Sequence, residues 1–301
     1  FRSRLKSLRV SLVRDRAVDL EIEDHEVRGV SGERRRYAAQ AVILATGGIS
    51  YPATGSTGDG HRMAERAGHT VTPLQGSLVP LQGTLDNGAS CARLQGLGLR
   101  NVGVTVFENQ KKIYTDLGEL LFTHFGVSGP LVLSASAHMR CFGKKAYHLE
   151  IDLKPALDEQ TLDRRLLSDF EKYANHDFCN ALQDLLPQKL IPVMVEASGI
   201  QHHQKVHEIT REQRRALLLK FKHFVVKISA PCPVEEAIVT SGGIRVNEVN
   251  PTTMESKLVK GLYFAGELLD VDAYTGGFNL QIAWATGRAA GMAAAEEGRK
   301  S

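Results

Sequence analysis

The 301-residue sequence predicts an α/β protein whose sheet starts early in the chain, is interrupted by a long insertion and is completed near the end. Three observations carry that prediction. A continuous apolar run, Ala41–Leu44, leads through a glycine-rich loop into a helical stretch, the order expected of a parallel-sheet unit. The same order returns at Gly261–Glu267, ahead of a helix from about Asn279 to Glu296. Between the two, the apolar pattern alternates with period two and then becomes helical.

The opening stretch "FRSRLKSLRVSLVRDR" has no acid before Asp15 and reads as the tail of a helix followed by a strand. From Leu8 to Tyr37 the short alternating runs "LRVSLV", "AVDLEIE" and "EVRGVSG" predict a β-meander. The run "AVIL" is expected to be buried on both faces. After it, Asp59 is placed to cap a helix that stops at Gly68. Segments such as "VGVTVFE", "KKIYTD" and "AYHLEIDL" make Leu74–Asp152 a small antiparallel barrel or sheet. From Asp158 to Phe221 the period is helical: Leu162, Leu166, Phe170 and Tyr173 share one face, and Pro187 suits the start of a second helix. "TREQ" (210–213) is a capping box opening a third. Ala283, Gly287 and Gly291 line one side of the last helix, which would let it lie close to a sheet or a flat ligand.

A net charge of +3, with 43% apolar and 24% charged residues, is that of an ordinary globular protein and leaves no bulk signature of nucleic-acid or membrane binding. The short basic runs Arg34–Arg36, Lys111–Lys112 and Lys144–Lys145 read as solvated loops or edge strands, so neither nucleic acid nor membrane is expected as a partner. Cys91, Cys141, Cys179 and Cys232 form no C-x-x-C, which predicts reduced thiols and a cytoplasmic protein. His202, His203 and His207 read as exposed polar residues, and no metal is expected.

Two loop-to-helix junctions, Thr46–Gly60 and Thr275–Asn279, carry the chemistry. A helix start offers unpaired N–H groups to an anion, and glycines let backbone approach it closely. A pyrophosphate is one such anion; the N1–C2=O edge of a reduced flavin is another. Glu267, at the carboxyl end of its strand, is placed to accept hydrogen bonds from sugar or ribityl hydroxyls. Residue by residue, the reading stops at a nucleotide- or flavin-binding α/β protein.

The segments "VILATGGISYPATGSTGDGHRMAERAGH", "GELLFTHFGVSGP", "TSGGI" and "NPTTMESKLVKGLYFAGELLDVDAYTGGFNLQIAWATG" resemble the BaiN/aminoacetone-oxidase family of FAD-dependent oxidoreductases. The resemblance implies a two-part Rossmann-like FAD-binding domain, residues 1–76 and 240–301. It also implies an insertion at 77–239, with a β-barrel over about 77–155 and 222–239 and a small helical bundle over 156–221. Ala45, Thr46, Gly47 and Gly48 would lie along FAD, and Gly266 and Glu267 would meet its ribityl–phosphate portion. Gly276, Gly277, Phe278, Asn279 and Leu280 would offer backbone groups to the ring, while "FTHFGVSGP" and "TSGG" would come from the insertion side to line the substrate face. His124 and Tyr274 are the candidate catalytic residues, as acid/base and as proton donor or stacking partner. The implied activity is hydride transfer between flavin and a small organic substrate of amine, ketone or enone type, with NAD(P)H as candidate co-substrate. The family's opening strand–GxGxxG–helix has no counterpart here. Phe1 therefore corresponds to a point inside that domain, and the second expectation is a non-catalytic remnant or scaffold that no longer binds FAD.

Overall fold

The computed structural model describes residues 2–298. Its first elements are α1 (Arg2–Ser7), β1 (Ala17–Glu23), β2 (Glu26–Gly32), β3 (Arg36–Ala38), β4 (Val42–Leu44) and α2 (Asp59–Arg66). Next come β5 (Gln75–Ser77), β6 (Leu81–Leu85), β7 (Gly98–Glu108), β8 (Lys111–Phe122), β9 (Gly126–Ser128), α3 (Pro130–Ser136) and β10 (Tyr147–Asp152). Helices α4 (Glu159–Lys172), α5 (Phe178–Ala181), α6 (Ile191–Ser198) and α7 (Arg211–Lys222) precede β11 (Phe224–Pro231), β12 (Val239–Ser241), β13 (Leu262–Phe264) and α8 (Phe278–Glu297). The chain divides into two units, one made of residues 1–75 with 239–301 and the other of residues 76–238.

In the first unit, β4 and β13 pair in parallel, Val42 opposite Leu262 and Leu44 opposite Phe264. Their apolar residues join Met63 and Ala64 of α2 and Leu268 in one core. Beside them β1, β2 and β3 form an antiparallel meander. Three expectations need correction here. "LRVSLV" is not a strand: Leu8, Val10, Leu12 and Val13 stay exposed, and the first strand begins only at Ala17. Alternation needs a partner ladder to become a strand, and β1 pairs only with β2. The run at β4 is not buried on both faces, because Ile43 is 39% exposed between buried Val42 and Leu44. Asp59 does not cap α2; Gly58, in a left-handed conformation (φ 77°), takes that position and Asp59 is the first helical residue. Its carboxylate instead accepts hydrogen bonds from Arg16, Thr57 and Arg62. Burial pushes the Asp59 pKa up, but those bonds outweigh it and hold the carboxyl below its usual range.

In the second unit, six strands close a barrel in the order β10-β11-β6-β9-β8-β7. Val102, Val104 and Val106 of β7 alternate inward with Leu149 and Ile151 of β10 and Val226 of β11, the period-two pattern of a closed sheet. Helices α4 to α7 extend the same core through Leu162, Leu166, Met194, Leu217 and Phe221. The Thr210 capping box on α7 forms as its sequence requires, with reciprocal bonds to Gln213. Pro187 does not start a helix; α6 begins at Ile191, with Pro192 in its first turn. Helix α3, not foreseen from the alternation, sits over β8, where a Cβ on Gly118 would come 3.6 Å from Leu131.

The cysteines are all free, and burial pushes the Cys91 thiol up to about 11. His203 meets Asp177 at 3.0 Å and His207 meets the Ala174 carbonyl at 2.9 Å, on different turns. Among the described residues no helix is long and apolar enough to cross a membrane.

Candidate functional site

Because β4 and β13 are parallel, the chain leaves both on the same side, and the two glycine-bearing exits meet there. After β4 the backbone runs through Ala45, Thr46, Gly47 (φ 75°) and Gly48; after β13 it turns through Gly266 (φ 75°) and Glu267. Gly48 fits only as glycine: a Cβ there would stand 2.1 Å from Thr240 Oγ1 and 2.6 Å from Glu267 Oε1.

Those two neighbours form a polar fastening. Thr240 Oγ1 accepts from the amides of Ile49 (2.8 Å) and Ser50 (3.1 Å). Glu267 Oε1 accepts from the Thr240 amide (2.6 Å) and the Ser50 hydroxyl (3.1 Å). Glu267 is therefore not simply poised for a sugar: one oxygen joins three chain segments, and only Oε2 is left for another donor. The "TSGG" segment, expected from the insertion side, belongs to the first unit, because Thr240 is held by Glu267 and by the loop after β4.

Thr46 carries a polar atom that the fold itself does not satisfy: its Oγ1 is buried without a hydrogen-bond partner. Gly60 presses against Thr46, since a Cβ there would lie 2.1 Å from Oγ1 and 2.9 Å from Leu268 Cδ1. His61, 2% exposed, has its pKa pushed down by burial, against the opposing pull of a hydrogen bond to the Leu268 backbone and of the Glu267 charge. Nothing in the local sequence distinguished Ser50, His61 or Thr240, whose partners are distant in the chain.

The start of α8 is open by comparison. Gly276 and Gly277 both have positive φ, Gly277 is the cap, and no side chain caps the helix. The first helical bond runs from the Gln281 amide to the Gly277 carbonyl, so the amides of Phe278, Asn279 and Leu280 lie outside the helix's own ladder. Phe278 (59%) and Leu280 (68%) are exposed. The Asn279 side chain is engaged, accepting from the Ala273 amide (2.9 Å) and donating to the Ala273 carbonyl (2.8 Å), which pins the preceding loop to the helix. Farther along, the Gly266 amide donates to Thr286 Oγ1 (2.9 Å) and Ala283 approaches Gly266. Gly287 and Gly291 are not in close contact with the sheet, as a Cβ at either would meet no protein atom within 4 Å.

Tyr274 is exposed in the loop before α8, in the same unit as these groups. His124 lies in the other unit, exposed in the turn between β8 and β9, with its ring edge-on to Phe125 at 4.9 Å.

The family described as HI0933-like protein Rossmann domain matches residues 1–293, and the chain belongs to it. It is 33% identical over 287 residues to a 3-dehydro-bile acid delta(4,6)-reductase of Clostridium scindens, a match covering 94% of this chain and 68% of that protein. It is also 32% identical over 257 residues to a ribosomal RNA dihydrouridine synthase of Haemophilus influenzae (85% and 61% covered). The Escherichia coli protein of that name is 30% identical over 247 residues (82% and 58%). The chain thus spans about three-fifths of the two synthases, and their names withdraw support from the expectation that nucleic acid is no partner.

Proposed function

With membership of the HI0933-like family as premise, we propose that the protein is an FAD-dependent oxidoreductase that reduces a carbon–carbon double bond conjugated to a carbonyl. The observation that carries the cofactor is the combination, in one unit, of glycine-lined strand exits, the orphaned Thr46 hydroxyl and the uncapped start of α8. These are the features a flavin dinucleotide asks of its cradle: backbone without side chains beside it, a donor with no protein partner, and amides facing a developing negative charge. Residues 45–48, Gly266 and Glu267 Oε2 would hold the ribityl–phosphate portion, and Gly276–Leu280 the ring.

The substrate class rests on what the relatives' names share. A 3-oxo compound unsaturated at positions 4 and 6 and a uracil ring both present an alkene conjugated to C=O. When bound and reduced by two electrons, the flavin would supply a hydride for the alkene carbon distal to the carbonyl. The carbon next to the carbonyl must then take a proton, for which Tyr274 Oη and the His124 imidazole are the candidate donors. NAD(P)H is the candidate reductant.

The test is to incubate the purified protein with FAD, remove the excess and record the visible spectrum. The reduced protein is then mixed anaerobically with 2-cyclohexenone or a uridine-containing oligonucleotide. A colourless protein ends the FAD reading; a coloured one that neither substrate reoxidises ends the conjugated-alkene reading. A reading in which the alkene is a uracil within RNA is favoured specifically by the two synthase relatives.

A further inference from the structure

Two basic runs that look isolated in the sequence, Lys111–Lys112 and Lys144–Lys145, are neighbours in the barrel. β7 pairs with both β8 and β10, placing Glu108 opposite Lys111 on one side and opposite Tyr147 on the other. The loop before β10 is tied to the β7–β8 turn by the Asn109 amide donating to the Ala146 carbonyl at 2.7 Å. Glu108 continues the alternation of Val102, Val104 and Val106 at this end of β7 and is partly buried. Its carboxylate takes Lys145 Nζ at 2.6 Å and the Tyr147 hydroxyl at 2.9 Å. Among the described residues Lys112 and Lys144 pair with no carboxylate, and Phe142, two residues before Lys144, is half-buried. Four lysines therefore share one end of the barrel, with Lys145 held by Glu108.

We propose that this end of the barrel, carrying Lys111, Lys112, Lys144 and Lys145, is a contact surface for the phosphate backbone of RNA. Ammonium groups outside ion pairs, such as those of Lys112 and Lys144, bind phosphates by releasing condensed counterions. None of the large exposed apolar residues lies within this group, so the surface lacks what insertion into a bilayer needs. The proposal deepens the RNA reading of the substrate made above, but its test does not depend on flavin chemistry.

A fluorescein-labelled RNA hairpin with a uridine-rich loop is titrated with the full chain at several KCl concentrations, followed by anisotropy. The triple variant K111A/K112A/K144A leaves the Glu108–Lys145 pair intact. Losing three phosphate contacts, at about 0.7 each for unpaired strands, should flatten the slope of log affinity against log salt by about 2. That corresponds to about a hundredfold weaker binding at 0.1 M KCl. The charge-matched K189A/K220A/K227A should keep the wild-type slope. The proposal is overturned if the wild type does not bind the hairpin, if both triples weaken binding equally, or if the chain binds phosphatidylserine vesicles in place of RNA. RNA binding without reoxidation of the reduced protein by any conjugated alkene would remove the reductase reading and leave this surface standing.

Discussion

The two glycine-led helix starts of the first unit look alike in sequence and differ in almost every physical respect. At the head of α2, Gly60 is wedged between Thr46 and Leu268, His61 is buried, and Asp59 is occupied by Arg16, Thr57 and Arg62. At the head of α8 the glycines meet almost nothing, no side chain caps the helix, and the first residues are exposed. Glycine at a helix start thus serves two purposes: in α2 it lets protein pack against protein, and in α8 it leaves backbone free for something else.

That contrast can be broken first at Gly60. Gly60→Ala would force a Cβ to within 2.1 Å of Thr46 Oγ1 and should cost about 3 kcal/mol, the upper end of overpacking, in urea unfolding. Gly287→Ala, with nothing within 4 Å, should instead stabilise by about 0.5–1 kcal/mol. Equal effects at the two positions would erase the distinction.

Next in size is Thr240→Val, which leaves the amides of Ile49 and Ser50 without their acceptor. We expect a loss of about 2 kcal/mol, read by the same unfolding curves.

A smaller effect comes from acid. Burial holds His61 and His69 below their ordinary pKa, so the unfolded chain binds protons that the folded chain refuses. Stability is then complete above the unfolded imidazole value of about 6.5 and falls as pH drops below it, by at most about 1.4 kcal/mol per pH unit for each ring. His61→Asn should remove about half of that slope between pH 6.5 and 5; an unchanged slope would show that His61 is not held neutral.

The smallest effect sharpens the open end. Leu280→Ser removes an exposed side chain and should change stability by less than about 0.5 kcal/mol. If α8 holds the flavin ring through its backbone, FAD affinity measured by fluorescence should change little as well. Gly277→Ala, at φ 93°, should weaken it by distorting those amides.

What the sequence made legible were features with a local period or a local partner. The strand–loop–helix order, the alternation of β7, β8 and β10, the shared face of Leu162, Leu166 and Phe170, and the Thr210–Gln213 box depend on neighbours a few residues away. The misreadings have the opposite origin. Leu8–Val13 alternates but finds no ladder, and Asp59 has cap chemistry but finds three better donors. The fastening of Ser50, Thr240 and Glu267 joins positions up to 217 residues apart and leaves no trace in any one stretch. Nor did the two lysine pairs announce their meeting, since only the β7–β10 register brings them together.

The parallel pairing of β4 with β13 also sets a timetable. Leu44 and its partner Phe264 are 220 residues apart. At about 5–20 residues per second, a ribosome takes about 10–45 s to make the second strand after the first. Through that interval the barrel, whose strands all lie in between, can finish folding while Val42 and Leu44 wait without a partner. The intervening unit therefore also separates in time the two halves of the sheet that frames the candidate site, and β4 is the segment that a chaperone would have to shelter.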